Sequence, residues 1–194
     1  MSSDSISIFE QFAENFLENR DGSPVGINIA KQWASSLNQG ADVIEIACGG
    51  GLPVTKTLIE AKLNVWAIDS SPTLVSKFND RFPHISVECN SVLECDFFDR
   101  KFDAAISIGL IFLLDEDAQI KMIKRVSEVL HTGGNFLFTA PLETETWEDI
   151  CTGHTCISLG QEAYENALTD SGFRILDHHE DSGKNHYYEA KKIS

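Results

Sequence analysis

A short apolar segment that runs straight into three glycines constrains this chain more than any other feature. It reads Val43-Ile44-Glu45-Ile46-Ala47-Cys48-Gly49-Gly50-Gly51. Asp42–Ala47 is rich in β-branched residues and is expected to be a strand, and Pro53 is placed to open a helix behind it. Small residues at such a turn let a ligand come close to the backbone. The N-terminus of the following helix then offers unpaired N–H groups to a negative group.

The rest of the chain repeats this strand-then-helix order. Further strands are expected at Asn64–Asp69, Ile85–Cys89, Phe102–Gly109, Asn135–Thr139, Phe173–Asp177 and His186–Ala190. The nearly continuous apolar run at 102–109 suits a central parallel strand. An opening helix over about 5–19 places Phe9, Phe12, Ala13, Phe16 and Leu17 on one face. A second helix starts at Pro24 with Ser23 as its cap and runs to Gly40. Ser71-Pro72 caps a third. Asp115 caps a fourth, with Ile120, Ile123, Val126, Val129 and Leu130 facing inward and Gly133-Gly134 as its stop. Gln161–Ser171 reads as the last helix. This alternation predicts an α/β fold with a parallel sheet covered by helices on both faces. There is no internal repeat or linker, so one domain over 1–194 is expected, with 1–40 as a helical cap region and 41–194 as the core.

Charge narrows the partners. The chain has 194 residues and a formal net charge of −15, with no cluster of Lys or Arg. Such a surface repels phosphate backbones, so nucleic acid and anionic membrane surfaces are poor partners. No apolar run approaches the length of a membrane span, and no basic residue precedes an apolar stretch at the start, so a cytoplasmic address is expected. Five cysteines without a C-x-x-C argue against a disulfide framework. Cys151, His154 and Cys156 are too few for a structural zinc site, and no metal is expected. No pattern points to a particular oligomer.

Asp69, at the end of the second strand, brings a carboxylate beside the glycine turn, where it can accept hydrogen bonds from both hydroxyls of a ribose. A dinucleotide fingerprint would require glycine at position 54, which is Val54. Glu45 within the strand suits a ligand carrying an ammonium group. These features favour S-adenosylmethionine over NAD or a flavin. Arg20, just before the second helix, is a candidate partner for the cofactor carboxylate. Cys48 reads as a small buried residue rather than a nucleophile.

The four blocks Glu45–Gly51, Trp66–Asp69, Phe102–Ser107 and Gly133–Phe138, in this order and spacing, resemble the class I methyltransferases that use S-adenosylmethionine. A closer resemblance is to a bacterial-type subgroup of small members, mostly without assigned substrates. It rests on 109–114 (GLIFLL), 138–141 (FTAP), 147–149 (WED), 158–160 (SLG) and 185–188 (NHYY). The resemblance implies a Rossmann-like doubly wound sandwich, with a seven-stranded, mostly parallel sheet whose last strand is antiparallel. It implies cofactor contacts from Glu45, Ala47, Cys48, Gly49, Gly51, Asp69, Ser70 and Ile108. Ala47 stands where many members have glycine, which a negative φ would permit. Many members also place an Asp after the third strand against the adenine amino group. Here Asn90 and Ser91 are the candidate acceptors.

The resemblance implies methyl transfer to a small-molecule acceptor through N, O or S. The acceptor is expected outside the carboxyl ends of the strands, covered by the opening helices and by an irregular segment at 141–160. His154 in that segment is the candidate base. Trp147, His186 and Tyr187 are candidate acceptor contacts, with one residue of the 186–187 pair expected to face the helices. The alternative is a cofactor-binding or partner protein that keeps the fold without catalysis. A partner-dependent protein methyltransferase is a third reading and ranks below the small-molecule enzyme, for want of a peptide groove.

Overall fold

The computed structural model describes residues 10–149 and 152–194. Its elements in chain order are α1 (Ala13–Asp21), α2 (Ile27–Ser36), β1 (Asp42–Ile46), α3 (Val54–Glu60), β2 (Asn64–Asp69), α4 (Pro72–Arg81), β3 (Ser86–Cys89) and β4 (Phe102–Ser107). They continue with α5 (Glu116–Val129), β5 (Leu130–Thr139), β6 (Thr144–Glu148), β7 (Thr155–Leu159), α6 (Gln161–Asp170), β8 (Phe173–Glu180) and β9 (His186–Lys192).

Seven strands form one sheet in the order β3-β2-β1-β4-β5-β9-β8. β1 pairs in parallel with β2 and β4, and β4 in parallel with β5. β9 is antiparallel to both of its neighbours, β5 and β8. The expected sheet, with its last strand reversed, is therefore present.

The period of two along each strand divides the core into two layers. Val43, Val65, Ala104, Ile106 and Leu137 meet Ala30 and Trp33 of α2 and Leu58 of α3. Ile44, Ile46, Ala105, Phe136 and Phe138 meet Met122 and Ile123 of α5 and Tyr164 of α6. Phe138 stacks on Tyr188 at 5.1 Å and on Phe136 at 4.9 Å. Each such pair contributes roughly 0.5–1.5 kcal/mol beyond area burial, and the Phe138–Tyr188 pair helps hold β9 against β5.

Several local expectations are corrected. α2 begins at Ile27, because Gly26 has φ +80 and cannot continue a helix back to Pro24. Ser23 instead accepts a hydrogen bond from the Val25 amide. On α5, capped as expected by Asp115 through the Ala118 amide, Ile120 is 41% exposed, and Ala118 and Met122 point inward. On α1 only Ala13 is fully buried, and Phe16 is 45% exposed. Phe9 lies outside the described residues. The segment 141–160 is not irregular: β6 and β7 pair as an antiparallel hairpin, from Thr144 opposite Leu159 to Glu148 opposite Thr155. Cys151 lies outside the described residues, and no group of three metal-ligating side chains occurs among the described ones. No helix among them is long and apolar enough to cross a membrane.

Candidate active site

The sheet order reverses between β1 and β4, and a crevice opens at the carboxyl ends of such a pair. Glu45 projects from β1 on the same face as Val43, toward α3. It is 4% exposed and accepts a hydrogen bond of 2.5 Å from the Thr55 hydroxyl. Burial raises its pKa to about 8, against the opposing pull of that bond and of Arg20, with the Asp69 charge adding to the rise.

Asp69 ends β2 beside the glycine turn. Its Oδ2 accepts from the Gly49 amide at 2.8 Å, and its Oδ1 from the Ser71 amide at 2.9 Å. Burial raises its pKa, while the amides of Ser71, Gly49 and Ser70 lower it. The carboxylate at 69 and the turn at 47–51 therefore converge as the sequence predicts. Cys48 is buried, and burial together with the Asp69 and Glu45 charges pushes its thiol well above the ordinary range, which suits packing and not nucleophilic attack.

Ala47 corrects one expectation. Its φ is +58, in the left-handed region. A Cβ there costs about 1 kcal/mol. The next residue is held by its amide, which donates to the Ile68 carbonyl at 3.1 Å.

Arg20 reaches the crevice from α1 and donates to the Val25 carbonyl at 3.0 Å. Burial depresses its pKa, while Tyr187, Glu45 and Asp181 act the other way. Arg20, Glu45, Ala47, Cys48 and Ile108 line one cavity together with Phe16. The structure thus brings a guanidinium, Arg20, and a carboxyl group whose ionisation burial opposes, Glu45, to one small space. Phe16, Thr55 and Ile106 also belong here and were not singled out from the sequence. A buried strand glutamate demands a donor, so Thr55 on the next helix was the available signal.

The adenine-side candidates sit at the top of β3. The Asn90 amide nitrogen donates to the Asp69 carbonyl at 3.0 Å, which fixes Asn90 beside that strand end. Its side chain bonds Glu88 and the Ser91 amide. The Ser91 hydroxyl is buried and accepts from the Leu93 amide within its own turn. Ser70 is half-buried at the end of β2.

The acceptor-side candidates are spread out. Tyr187 is 1% exposed, and its hydroxyl donates to Asp181 at 2.8 Å. A Cβ at Gly26 would stand 2.5 Å from that hydroxyl, so Tyr187 supports the start of α2. His186 is half-buried with Nε2 3.7 Å from Glu180. Trp147, on β6, packs at 5.5 Å against Phe112 in the 3-10 turn Ile111–Leu113. His154 sits beside the hairpin tip, with Nε2 3.3 Å from the Leu113 carbonyl, and does not line the cavity around Glu45.

A family model described as a methyltransferase domain matches residues 43–134. The chain is 26% identical over 160 residues to an uncharacterized methyltransferase of Anoxybacillus flavithermus, covering 76% of this chain and 73% of that one. Among solved structures, the 1,6-didemethyltoxoflavin-N1-methyltransferase of Burkholderia thailandensis superposes with TM-score 0.80 at 16% identity, covering 100% of this chain and 91% of that one. That structure holds 1,6-didemethyltoxoflavin and S-adenosylhomocysteine. An S-adenosylmethionine-dependent methyltransferase of Clostridium acetobutylicum superposes with TM-score 0.71 at 19% identity, covering 96% and 99%. Motif order and sheet topology agree with these relatives: residues 43–134 match a methyltransferase domain, and the chain as a whole is similar to S-adenosylmethionine-dependent methyltransferases.

Proposed function

We propose that this single-domain chain binds S-adenosylmethionine at the carboxyl ends of β1 and β4 and methylates a small molecule. One observation carries the reading: the Asp69 carboxylate lies 2.8 Å from the Gly49 amide, so a ribose-binding acid and a close-approach turn share one crevice. The two ionisable groups beside it suit an amino-acid head group, whose ammonium would favour the ionised form of Glu45. Arg20 is placed to hold a carboxylate and Glu45 an ammonium. Ala47, Cys48 and Gly51 shape the turn, and Ser70 and Ile108 flank it. Asn90 is the better placed of the two adenine-side candidates, because the Ser91 hydroxyl is committed to its own turn.

When bound, the cofactor supplies an activated methyl group on a sulfonium. The chain's task is alignment of an acceptor and exclusion of water. Phe16 and Ile108 form an apolar rim suited to exclusion. His154 does not line this cavity, and methyl transfer to a neutral amine, a thiolate or an activated carbon needs no base there. The solved structures of a 1,6-didemethyltoxoflavin-N1-methyltransferase and of a magnesium protoporphyrin IX methyltransferase support a small-molecule acceptor. The acidic surface supports a reading without nucleic acid, and a cytoplasmic setting is retained with it.

The test is titration calorimetry with S-adenosylhomocysteine, followed by incubation with S-adenosylmethionine and an acceptor panel. Micromolar binding and acceptor-dependent product release are expected. Binding without turnover on any acceptor would favour the non-catalytic alternative. No binding would end the reading.

A further inference from the structure

α1 lies over the glycine turn, and unlike the other helices it is held there by polar contacts. Only Ala13 of its nine residues is fully buried. Its two ends are tied to the two ends of α4. Glu10, just before α1, accepts from the hydroxyls of Ser71 and Thr73 and from the Thr73 amide at 3.3 Å. At the other end, the Arg81 guanidinium donates two bonds to the Asp21 carboxylate and one, at 3.0 Å, to the Gly50 carbonyl. Arg81 thus grips the glycine turn and the overlying helix at once. Between these two ties, α1 and α4 stand apart across an open groove of about 550 Å³.

The covered face is the one a cofactor would need. A Cβ on Gly49 would lie 3.0 Å from the Phe16 ring, and one on Gly50 would lie 2.4 Å from Leu17. The cavity among Phe16, Arg20, Glu45 and Ile108 measures about 30 Å³. A site that encloses a ligand of nucleoside size occupies some 300 Å³ or more. Phe16 and Arg20 of α1 form one wall of what remains.

We propose that α1 is a latched cover on the cofactor crevice, that the Asp21–Arg81 pair is its catch, and that admission of the cofactor requires the catch to part. The proposal rests on the cofactor reading given above. Phe16 and Leu17 add apolar contact with the turn, but Ala13 is the one fully buried residue of α1, so the two polar ties at its ends are the contacts whose release is expected to govern opening. The Asp21–Arg81 side chains are 30% and 19% exposed, so salt reaches the pair and weakens it.

The test is stopped-flow association of S-adenosylhomocysteine, which is net neutral at pH 7.5 and therefore insensitive to steering by the acidic surface. Asp21→Asn is expected to bind roughly threefold faster or more, the scale of a partly exposed ion pair. Glu10→Gln is expected to do the same through the other tie. Raising salt should speed the parent and leave Asp21→Asn unchanged. Hydrogen exchange across 13–21 should quicken in both variants. Parental association rates in both variants, with binding intact, would overturn the cover, as would faster exchange without faster association. Failure of parent and variants alike to bind would overturn the cofactor reading itself, and the cover with it.

Discussion

The crevice at β1 and β4 and the root of the β6–β7 hairpin both bury polar side chains, and they treat them in opposite ways. At the hairpin root, Gln119 of α5 is fully buried and satisfied. Its Nε2 donates to the carbonyls of Leu114 and Ile157, and its Oε1 accepts from the Tyr164 hydroxyl at 2.7 Å. That hydroxyl in turn accepts from the Leu159 amide. Every group in this network is neutral and spent on the protein itself, so it fastens β7 to the core. In the crevice, Glu45 and Asp69 are buried acids whose pKa values burial has raised. Their acceptor sites exceed the donors that the chain supplies. Under the proposed reading, that surplus is what the cofactor would meet.

The contrast is sharpened or broken by four measurements. The largest effect is expected from Asp69→Ala. It should cost S-adenosylhomocysteine binding about 100-fold or more by calorimetry, the worth of two lost hydrogen bonds to a charged group. Cofactor affinity that survives would remove the crevice from the functional side of the comparison. Next, Gln119→Leu strands buried partners and should lower unfolding free energy by about 2 kcal/mol in urea, with cofactor affinity at the parental level. A matching loss of affinity would show that the two regions are not separate.

The third concerns pH. Glu45 has a folded pKa of about 8, above its ordinary value of 4.5, so its protonated form favours the folded state. Without ligand, that contribution to stability is complete below about pH 4.5 and is lost as pH rises to about 8, with a slope of at most ~1.4 kcal/mol per unit. An ammonium ligand prefers the ionised acid. Affinity should therefore rise toward pH 8, approaching tenfold per unit, and level off above it. Glu45→Gln should flatten both profiles. The smallest effect is Asp115→Ala, which removes the cap of α5 and should cost about 1 kcal/mol of stability by thermal unfolding, without touching the pH profile.

What the sequence discloses follows from range. The glycine turn and Asp69 are legible because a strand ending in small residues, and another ending in an acid, are local patterns. The seven strands are legible because apolar periodicity is local too. The hairpin is not, since Thr144-Glu145-Thr146-Trp147-Glu148 buries no residue fully and so carries no apolar alternation. The inward face of α5 was misread at Ile120, because the true stripe passes through Ala118 and Gln119, residues that a search for large apolar side chains skips. The partnership of Asp21 with Arg81 spans 60 positions, and no spacing rule reaches that far. The left-handed backbone at Ala47 is not legible either, because composition does not report a dihedral angle.

The place of β9 has a consequence for how the chain is made. Residues 186–192 sit between β5 and β8. During synthesis, β1 to β5 emerge with their parallel neighbours and can pair as they appear. β8 emerges with no partner at all, and the outer edge of β5 stays bare until the closing strand is delivered. A chain cut short within those seven residues would leave β5 and β8 both without their shared partner, a product suited to aggregation and to clearance by proteases.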